Sequence, residues 1–248
     1  MDEVKTKRSD RILVITMNRP SKRNAVNEAM AQGINAALAE LETTNDLWAG
    51  VITGAGGFFS AGTDLAAGGG KKTDRGEYGI IRRVRGKPLV AAVEGFALGG
   101  GLEIVLACDL VVASAAATFG LPEVSRGVIA TCGALFRAPR ALPVNVAREL
   151  ILTGDPIDAS FAQSIGFVNR LAEPGNALAV AIALAKRIVQ NSPVAVRESL
   201  RAAERVLAAA DELGWSATND ATAAVRVAPD AHEGIAAFRE KRSPRWLG

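Results

Sequence analysis

Pro88-Leu89-Val90-Ala91-Ala92-Val93, Gly99-Gly100-Gly101-Leu102-Glu103-Ile104-Val105-Leu106-Ala107-Cys108 and Asp109-Leu110-Val111-Val112-Ala113 follow one another in close succession. Short apolar runs of this kind, rich in β-branched residues, are buried strands, and Pro88 stands at a strand start, where a missing N–H is tolerated. The middle segment is a helix opened by glycines. Strand, helix and strand in order point to an α/β layered core.

The same alternation extends in both directions. Arg11 to Met17 is a buried strand, broken by Asn18-Arg19-Pro20-Ser21. From Asn27 onward Met30, Ile34, Ala37, Leu38 and Leu41 recur at helical spacing, with Asn27 as N-cap. Trp48 to Thr53 is a strand ending in Gly54-Ala55-Gly56-Gly57, where backbone can approach a ligand. A glycine and lysine stretch to Lys72 reads as mobile, and Arg75 to Arg85 as helical. Downstream, short helices are expected over Ala134 to Leu152 and Asp158 to Ile165, with a last strand over Phe167 to Leu171. Beyond Pro174 the chain reads as nearly all helix. Its stripes Leu178, Ile182, Ala185, Val189 and Val196, Leu200, Ala203, Leu207 suit core or subunit contact. The expected division is a core over residues 1–174 and a helical oligomerisation region over 175–248.

Composition narrows the class. With 248 residues, 49% hydrophobic and 22% charged, the chain can bury a sizeable core. No apolar run reaches the roughly 20 residues of a membrane span. The start, Met1 to Arg8, lacks the apolar segment of a secretory signal, so a cytoplasmic protein is expected. The pI near 9.1 comes with a net charge of only +3 and 5% aromatics, and without a nucleic-acid motif no such partner is expected. The basic groups Lys22-Arg23, Lys71-Lys72, Arg82-Arg83-Val84-Arg85 and Lys241-Arg242 either face solvent or receive phosphates of a cofactor-like substrate. The cysteines, Cys108 and Cys132, fit neither a disulfide framework nor a metal pattern, and the single His232 lies away from every motif. No metal is expected. Tyr78, Trp215 and Trp246 are assigned to core or interface.

Two acids carry the chemistry. Glu103 follows Gly99-Gly100-Gly101-Leu102, and Glu123 follows Phe119-Gly120-Leu121-Pro122. A glycine run opening a helix leaves main-chain N–H groups unpaired at the positive end of the helix dipole, a place that stabilises an oxyanion. Two carboxyls beside such a place can move protons and hold a water, as addition of water to an activated double bond requires. Taken singly, Glu103 also fits an ordinary helix-start glutamate, and Glu123 a first-turn glutamate after proline.

Several motifs stand in a recognisable order. Asn18-Arg19-Pro20 with Asn24-Ala25, Phe59-Ser60-Ala61-Gly62-Thr63-Asp64-Leu65, Lys87 to Gly95, Ala97 to Glu103 and Phe119 to Glu123 follow one another as in the enoyl-CoA hydratase, or crotonase, superfamily. Leu152-Thr153-Gly154, Gly166 to Asn169 and Phe238 to Arg242 continue the likeness to the end of the chain. The resemblance implies the crotonase (ClpP-like) spiral of repeated ββα units, capped by C-terminal helices that build a homotrimer or a dimer of trimers. It implies an acyl-CoA thioester as substrate, with no separate cofactor. The backbone N–H groups of Ala61 and Gly100 match the oxyanion hole. Ala25 and the Ala61, Gly62, Thr63, Asp64, Leu65 loop match positions along the pantetheine and adenine, although Asp64 equally suits a turn former. Phe238 and Lys241 match a segment that reaches the CoA of a neighbouring subunit.

Among superfamily reactions, two retained acids favour hydration of a trans-2-enoyl-CoA to the 3-hydroxyacyl-CoA, with Glu103 activating water and Glu123 protonating carbon-2. An enoyl-CoA isomerase, a carnitinyl-CoA-type dehydratase and a non-catalytic acyl-CoA-binding protein are the rivals. Ile129-Ala130-Thr131-Cys132-Gly133-Ala134 stands where many hydratases carry Pro-Gly-x-Gly-Gly-Thr, which leaves acyl preference open. Cys132 there is either a helix-start thiol of lowered pKa or a buried structural thiol.

Overall fold

A computed structural model of the chain describes residues 2–67 and 73–246. The glycine and lysine stretch expected to be mobile lies largely outside these residues.

Six strands form the main sheet in the order β1 (Val4–Ser9), β2 (Ile12–Met17), β3 (Ala49–Gly54), β4 (Leu89–Val93), β6 (Leu110–Ser114) and β9 (Arg170–Ala172). Only the β1–β2 pair is antiparallel. The parallel strands are buried on both faces, as their β-branched and alanine runs require. A second, three-stranded sheet joins β5 (Phe96–Leu98), β7 (Thr118–Gly120) and β8 (Ile157–Asp158). Each of β4 and β6 is followed by a strand of this second sheet, and Ser60 bridges Ala97 in parallel one turn earlier. The backbone therefore winds as a spiral that lays one strand on each sheet per turn.

Helix α1 (Glu28–Thr43) forms as its pattern predicts. The Asn27 side chain accepts the Met30 amide at 3.0 Å, and Met30, Ile34, Leu38 and Leu41 are fully buried. Its C-terminus is closed by Lys87, whose buried ammonium donates to the Leu41 and Thr44 carbonyls at 2.7 Å each. Helix α2 (Gly100–Leu106) connects β5 to β6. Helices α3 (Ala134–Ala141), α4 (Val144–Thr153) and α5 (Ala159–Ser164) fill the stretch read as short helices. On the opposite face of the main sheet lies α6 (Ala177–Val189), whose Ala181 and Ala185 pack on Val51, Val90 and Val112. The helices that leave the core are α7 (Pro193–Val227) and α8 (Pro229–Glu240).

Two expectations change, and one strand is added. Arg75 to Arg85 holds only a 3-10 turn, Glu77–Gly79, because Gly76, Tyr78 and Gly79 all adopt positive φ. Phe167 and Val168 turn into the core, so the last strand starts later, at Arg170. The charged segment Val4–Ser9 is an edge strand, closed by a hairpin through Asp10 at φ 53. Among the described residues no helix is long and apolar enough to cross a membrane.

Candidate active site

A cavity of about 400 Å³ opens where the glycine-led helix meets the Ala61–Leu65 loop. The buried Asn24 fixes that loop. Its side chain accepts the Arg19 amide and donates to the Ala55 and Phe58 carbonyls at 2.8 and 2.9 Å. Val26 then pairs with Thr63 in parallel, taking the Gly62 carbonyl and the Asp64 amide. In such a pairing the intervening residue turns its own amide the other way.

The consequence corrects the sequence reading. The Ala61 amide donates to the Arg23 carbonyl at 3.0 Å, and the Gly62 amide to Ser60 Oγ at 3.0 Å, so neither is free for a ligand. The amides of Thr63 and Gly100 have no acceptor among the described residues, and both residues line the cavity. The loops that carry them nearly touch, since a carbon placed on Gly62 Cα would stand 2.8 Å from the Gly100 nitrogen.

Each glycine of the run makes room for a different part of the site. A carbon on Gly99, which has φ 54, would lie 3.0 Å from Glu123 Oε1; one on Gly100 would collide with the Tyr78 hydroxyl, and one on Gly101 with the Ser60 carbonyl. Any side chain there would fill the cavity or push α2 off the core.

Glu103 sits in the first turn of α2 and is 2% exposed. Its Oε1 accepts the Cys132 amide at 2.6 Å and the Ala134 amide at 3.2 Å. Burial, reinforced by the charge of Glu123, nevertheless pushes its pKa up to about 8. Glu123 stands immediately before the 3-10 turn Val124–Arg126. Burial raises its pKa too, and its Oε2 is buried without a hydrogen-bond partner. Two carboxyls in one cavity, one of them with its pKa near 8, keep a proton near neutrality, and such a pair can supply one acid and one base. The unpartnered oxygen has capacity left for a water or a substrate proton.

Other expected residues fall elsewhere. Leu65 lines the cavity, whereas Ala25 and Asp64 stand beside it in its supporting loop. Burial would raise the Asp64 pKa, but the Arg19 guanidinium and the Ala66 and Ala67 amides hold it below the usual range, the pattern of a loop former. Phe238 is 51% exposed, with the Arg126 guanidinium 4.8 Å from its ring centre, and Lys241 is exposed at the end of α8. Neither reaches the cavity of its own chain.

The cavity also collects residues the motifs did not mark. Thr222, Val225 and Arg226 of α7 and Ala231, His232 and Ile235 of α8 form its outer wall. His232, distant from every motif in sequence, thus comes to the site through the fold, and a C-terminal segment covers the site of its own chain. Gly234 and Gly127 permit this docking, as a carbon on either would strike the other segment's backbone. Arg126 and Tyr78 complete the lining. Of the basic groups proposed for phosphates, Arg82 pairs with Glu77, Arg85 with Asp109, and Arg242 with Glu233 and Glu240. Cys132 is buried and its pKa lies well above the ordinary value, first through burial and then through Glu103, so it is the structural thiol.

The sequence profile described as enoyl-CoA hydratase/isomerase matches residues 7–248. The chain is 40% identical over 245 residues to mevalonyl-coenzyme A hydratase of Aspergillus fumigatus, covering 95% of this chain and 91% of that protein. It is 34% identical to 2,3-dehydroadipyl-CoA hydratase of Escherichia coli over the full length of both. A crystal structure of carnitinyl-CoA hydratase from Mycobacterium avium superposes with a TM-score of 0.95 at 41% identity, covering 100% of this chain and 99% of that one. The spiral core is accordingly the crotonase fold, and the chain belongs to the enoyl-CoA hydratase/isomerase family.

Proposed function

We propose that the protein is an enoyl-CoA hydratase that adds water reversibly to a trans-2-enoyl-CoA, giving the 3-hydroxyacyl-CoA. One observation carries this reading: Glu103 and Glu123 line the same cavity as the free amides of Thr63 and Gly100. The thioester oxygen sits between these amides and gains charge as the enolate forms. Each such donor is worth about 2.7–4 kcal/mol of transition-state stabilisation. In the microstate that carries the pair's proton on Glu123, ionised Glu103 takes a proton from water as the oxygen attacks carbon-3, and Glu123 gives its proton to carbon-2. In the reverse direction the two exchange tasks.

The acyl-CoA thioester is the one organic partner in this account, with CoA part of the substrate and no separate cofactor. Ala25, Gly62, Asp64 and Leu65 support its pantetheine and adenine. Exposed Phe238, Lys241 and the apolar side chains Val206 and Leu213 of α7 suit contact with further copies in a homotrimer or dimer of trimers, in the cytoplasm.

A second reading, dehydration of a 3-hydroxyacyl-CoA bearing a polar group, is favoured by Arg126, Thr131, Thr222, Arg226 and His232 in the lining. Incubation with 2-enoyl-, 3-enoyl- and 3-hydroxyacyl-CoA esters separates the cases. A hydratase bleaches the conjugated thioester absorbance of the first and an isomerase creates it from the second; because hydration is reversible, the dehydratase reading is separated by creating it from a polar-substituted 3-hydroxyacyl-CoA and not from the unsubstituted one. A protein that binds these esters without turning over any of them overturns the enzymatic reading.

A further inference from the structure

The phenol of Tyr78 has no task in hydration as described, yet it touches both residues that carry the free amides. Its hydroxyl is 2.5 Å from Thr63 Oγ1, and either oxygen can be the donor. It also lies against Gly100, where an added carbon would meet the hydroxyl and stand 2.7 Å from the ring carbon Cζ. Tyr78 is 3% exposed overall and lines the cavity. The phenolic oxygen is therefore one hydrogen bond from the side chain of Thr63 and in contact range of Gly100 Cα. An oxygen bonded to the two amides falls within its reach.

The backbone holds this placement at a cost. Tyr78 has φ 55 and ψ 8, a left-handed conformation that a bulky residue rarely adopts, between Gly76 and Gly79, also at positive φ. Strain of this kind persists where the surroundings impose it and gathers at functional sites. Here the imposed turn carries a polar aromatic into the cavity although the flanking Ile80 and Ile81 are buried in the core. Burial first, then the neighbouring titratable groups Cys132 and Glu103, raise its pKa well above the usual value. The phenol thus keeps its proton and remains a neutral donor at any working pH.

We propose that Tyr78 is a further catalytic residue, whose phenolic O–H makes a third hydrogen bond to the thioester oxygen held by the Thr63 and Gly100 amides. The proposal rests on the hydratase reading. When substrate arrives, Thr63 Oγ1–H donates to Tyr78 Oη, and the phenol turns its own proton to the thioester oxygen. No proton is transferred: the bond strengthens as the enolate forms and relaxes when carbon-2 is protonated.

Two measurements test this. In Tyr78→Phe the kcat for hydration should fall by about tenfold to a thousandfold with little change in KM, as for other oxyanion donors. The same variant should hold less of bound acetoacetyl-CoA as its enolate, read from the enolate absorbance against pH, with the apparent pKa raised by about one unit or more for a tenfold loss. A phenol that only packs would leave both readouts unchanged while lowering Tm, and that result overturns the proposal. Tyr78 is the only tyrosine in the chain, so biosynthetic 3-fluorotyrosine gives one fluorine resonance in an otherwise unaltered protein. That resonance should shift when acetoacetyl-CoA binds; an unmoved signal at saturation excludes the contact even if Tyr78→Phe fails to fold. Were the protein to turn over no 2-enoyl-CoA, the hydratase reading would fail alone, because the enolate titration and the fluorine signal still report on Tyr78.

Discussion

Glu103 Oε1 accepts the backbone amide of Cys132 at 2.6 Å. The acid on α2 is thus held by main chain, which explains how Ile129 to Ala134 can depart from the common hydratase pattern without removing the support. The Cys132 thiol is free to vary while its amide stays in place.

That thiol should be inert. Burial raises Cys132 well above the ordinary value, and burial pushes Cys108 up to about 12. With so little thiolate, neither should react with iodoacetamide in the native protein near neutral pH, and mass spectrometry should find both modified only after unfolding. Rapid labelling of native Cys132 would contradict the assignment.

The position of Glu123 over Gly99 predicts a severe effect from one methyl group. Gly99→Ala places a carbon 3.0 Å from Glu123 Oε1 in a backbone at φ 54. At φ 54 and ψ −124, a combination left to glycine, an alanine costs about 1–3 kcal/mol in stability, and displacement of the carboxyl should lower kcat by on the order of a hundredfold, the loss expected when a catalytic group is misplaced. A wild-type rate from the folded variant would show that Glu123 does not need this position.

The raised pKa of Glu103 links stability to pH. Burial first and Glu123 second move it from 4.5 to about 8. Between these values the folded chain holds a proton that the unfolded chain has lost. The contribution of this group is therefore full below the unfolded value and lost as pH rises through about 8. Glu103→Gln keeps an acceptor for the Cys132 and Ala134 amides but does not titrate. Its Tm should rise relative to wild type between about pH 5 and pH 9, by about 2–4 °C for each kcal/mol relieved. A Tm difference independent of pH would contradict the shift.

The wall formed by α8 gives a fourth test. Gly234→Val forces α8 away from the Arg126 backbone, which it meets too closely for any side chain. CoA-ester affinity should fall on the order of tenfold, about 1.4 kcal/mol, with the core still folded by circular dichroism. Undiminished affinity would show that α8 contributes nothing to binding.

The strand and helix alternation, the Asn27 cap and the two glutamates were legible because each depends on neighbours in sequence. Tyr78 was not, since its place in the cavity follows from a left-handed turn that no helical or strand pattern encodes, within a segment that reads as helical. The use of Thr63 in place of Ala61 depends on which amides Val26 and Arg23 occupy, a pairing across the fold. His232 and Arg226 enter the cavity only because α7 ends at Ala228 and α8 folds back onto the turn at Gly127, and nothing local to either residue signals that return.

On the proposed hydratase reading, two carboxyls divide the work of one addition, Glu103 on water and Glu123 on carbon-2. Glu123→Gln keeps size and most hydrogen bonding but removes the proton site. Solvent deuterium exchange into carbon-2 of a saturated acyl-CoA needs the carbon-2 group but no addition of water, so its rate in this variant is measured beside the rate of 2-enoyl-CoA hydration. Exchange should nearly vanish and hydration fall by about 10²–10⁴-fold, whereas normal exchange with full-rate hydration by the folded variant would contradict the assignment.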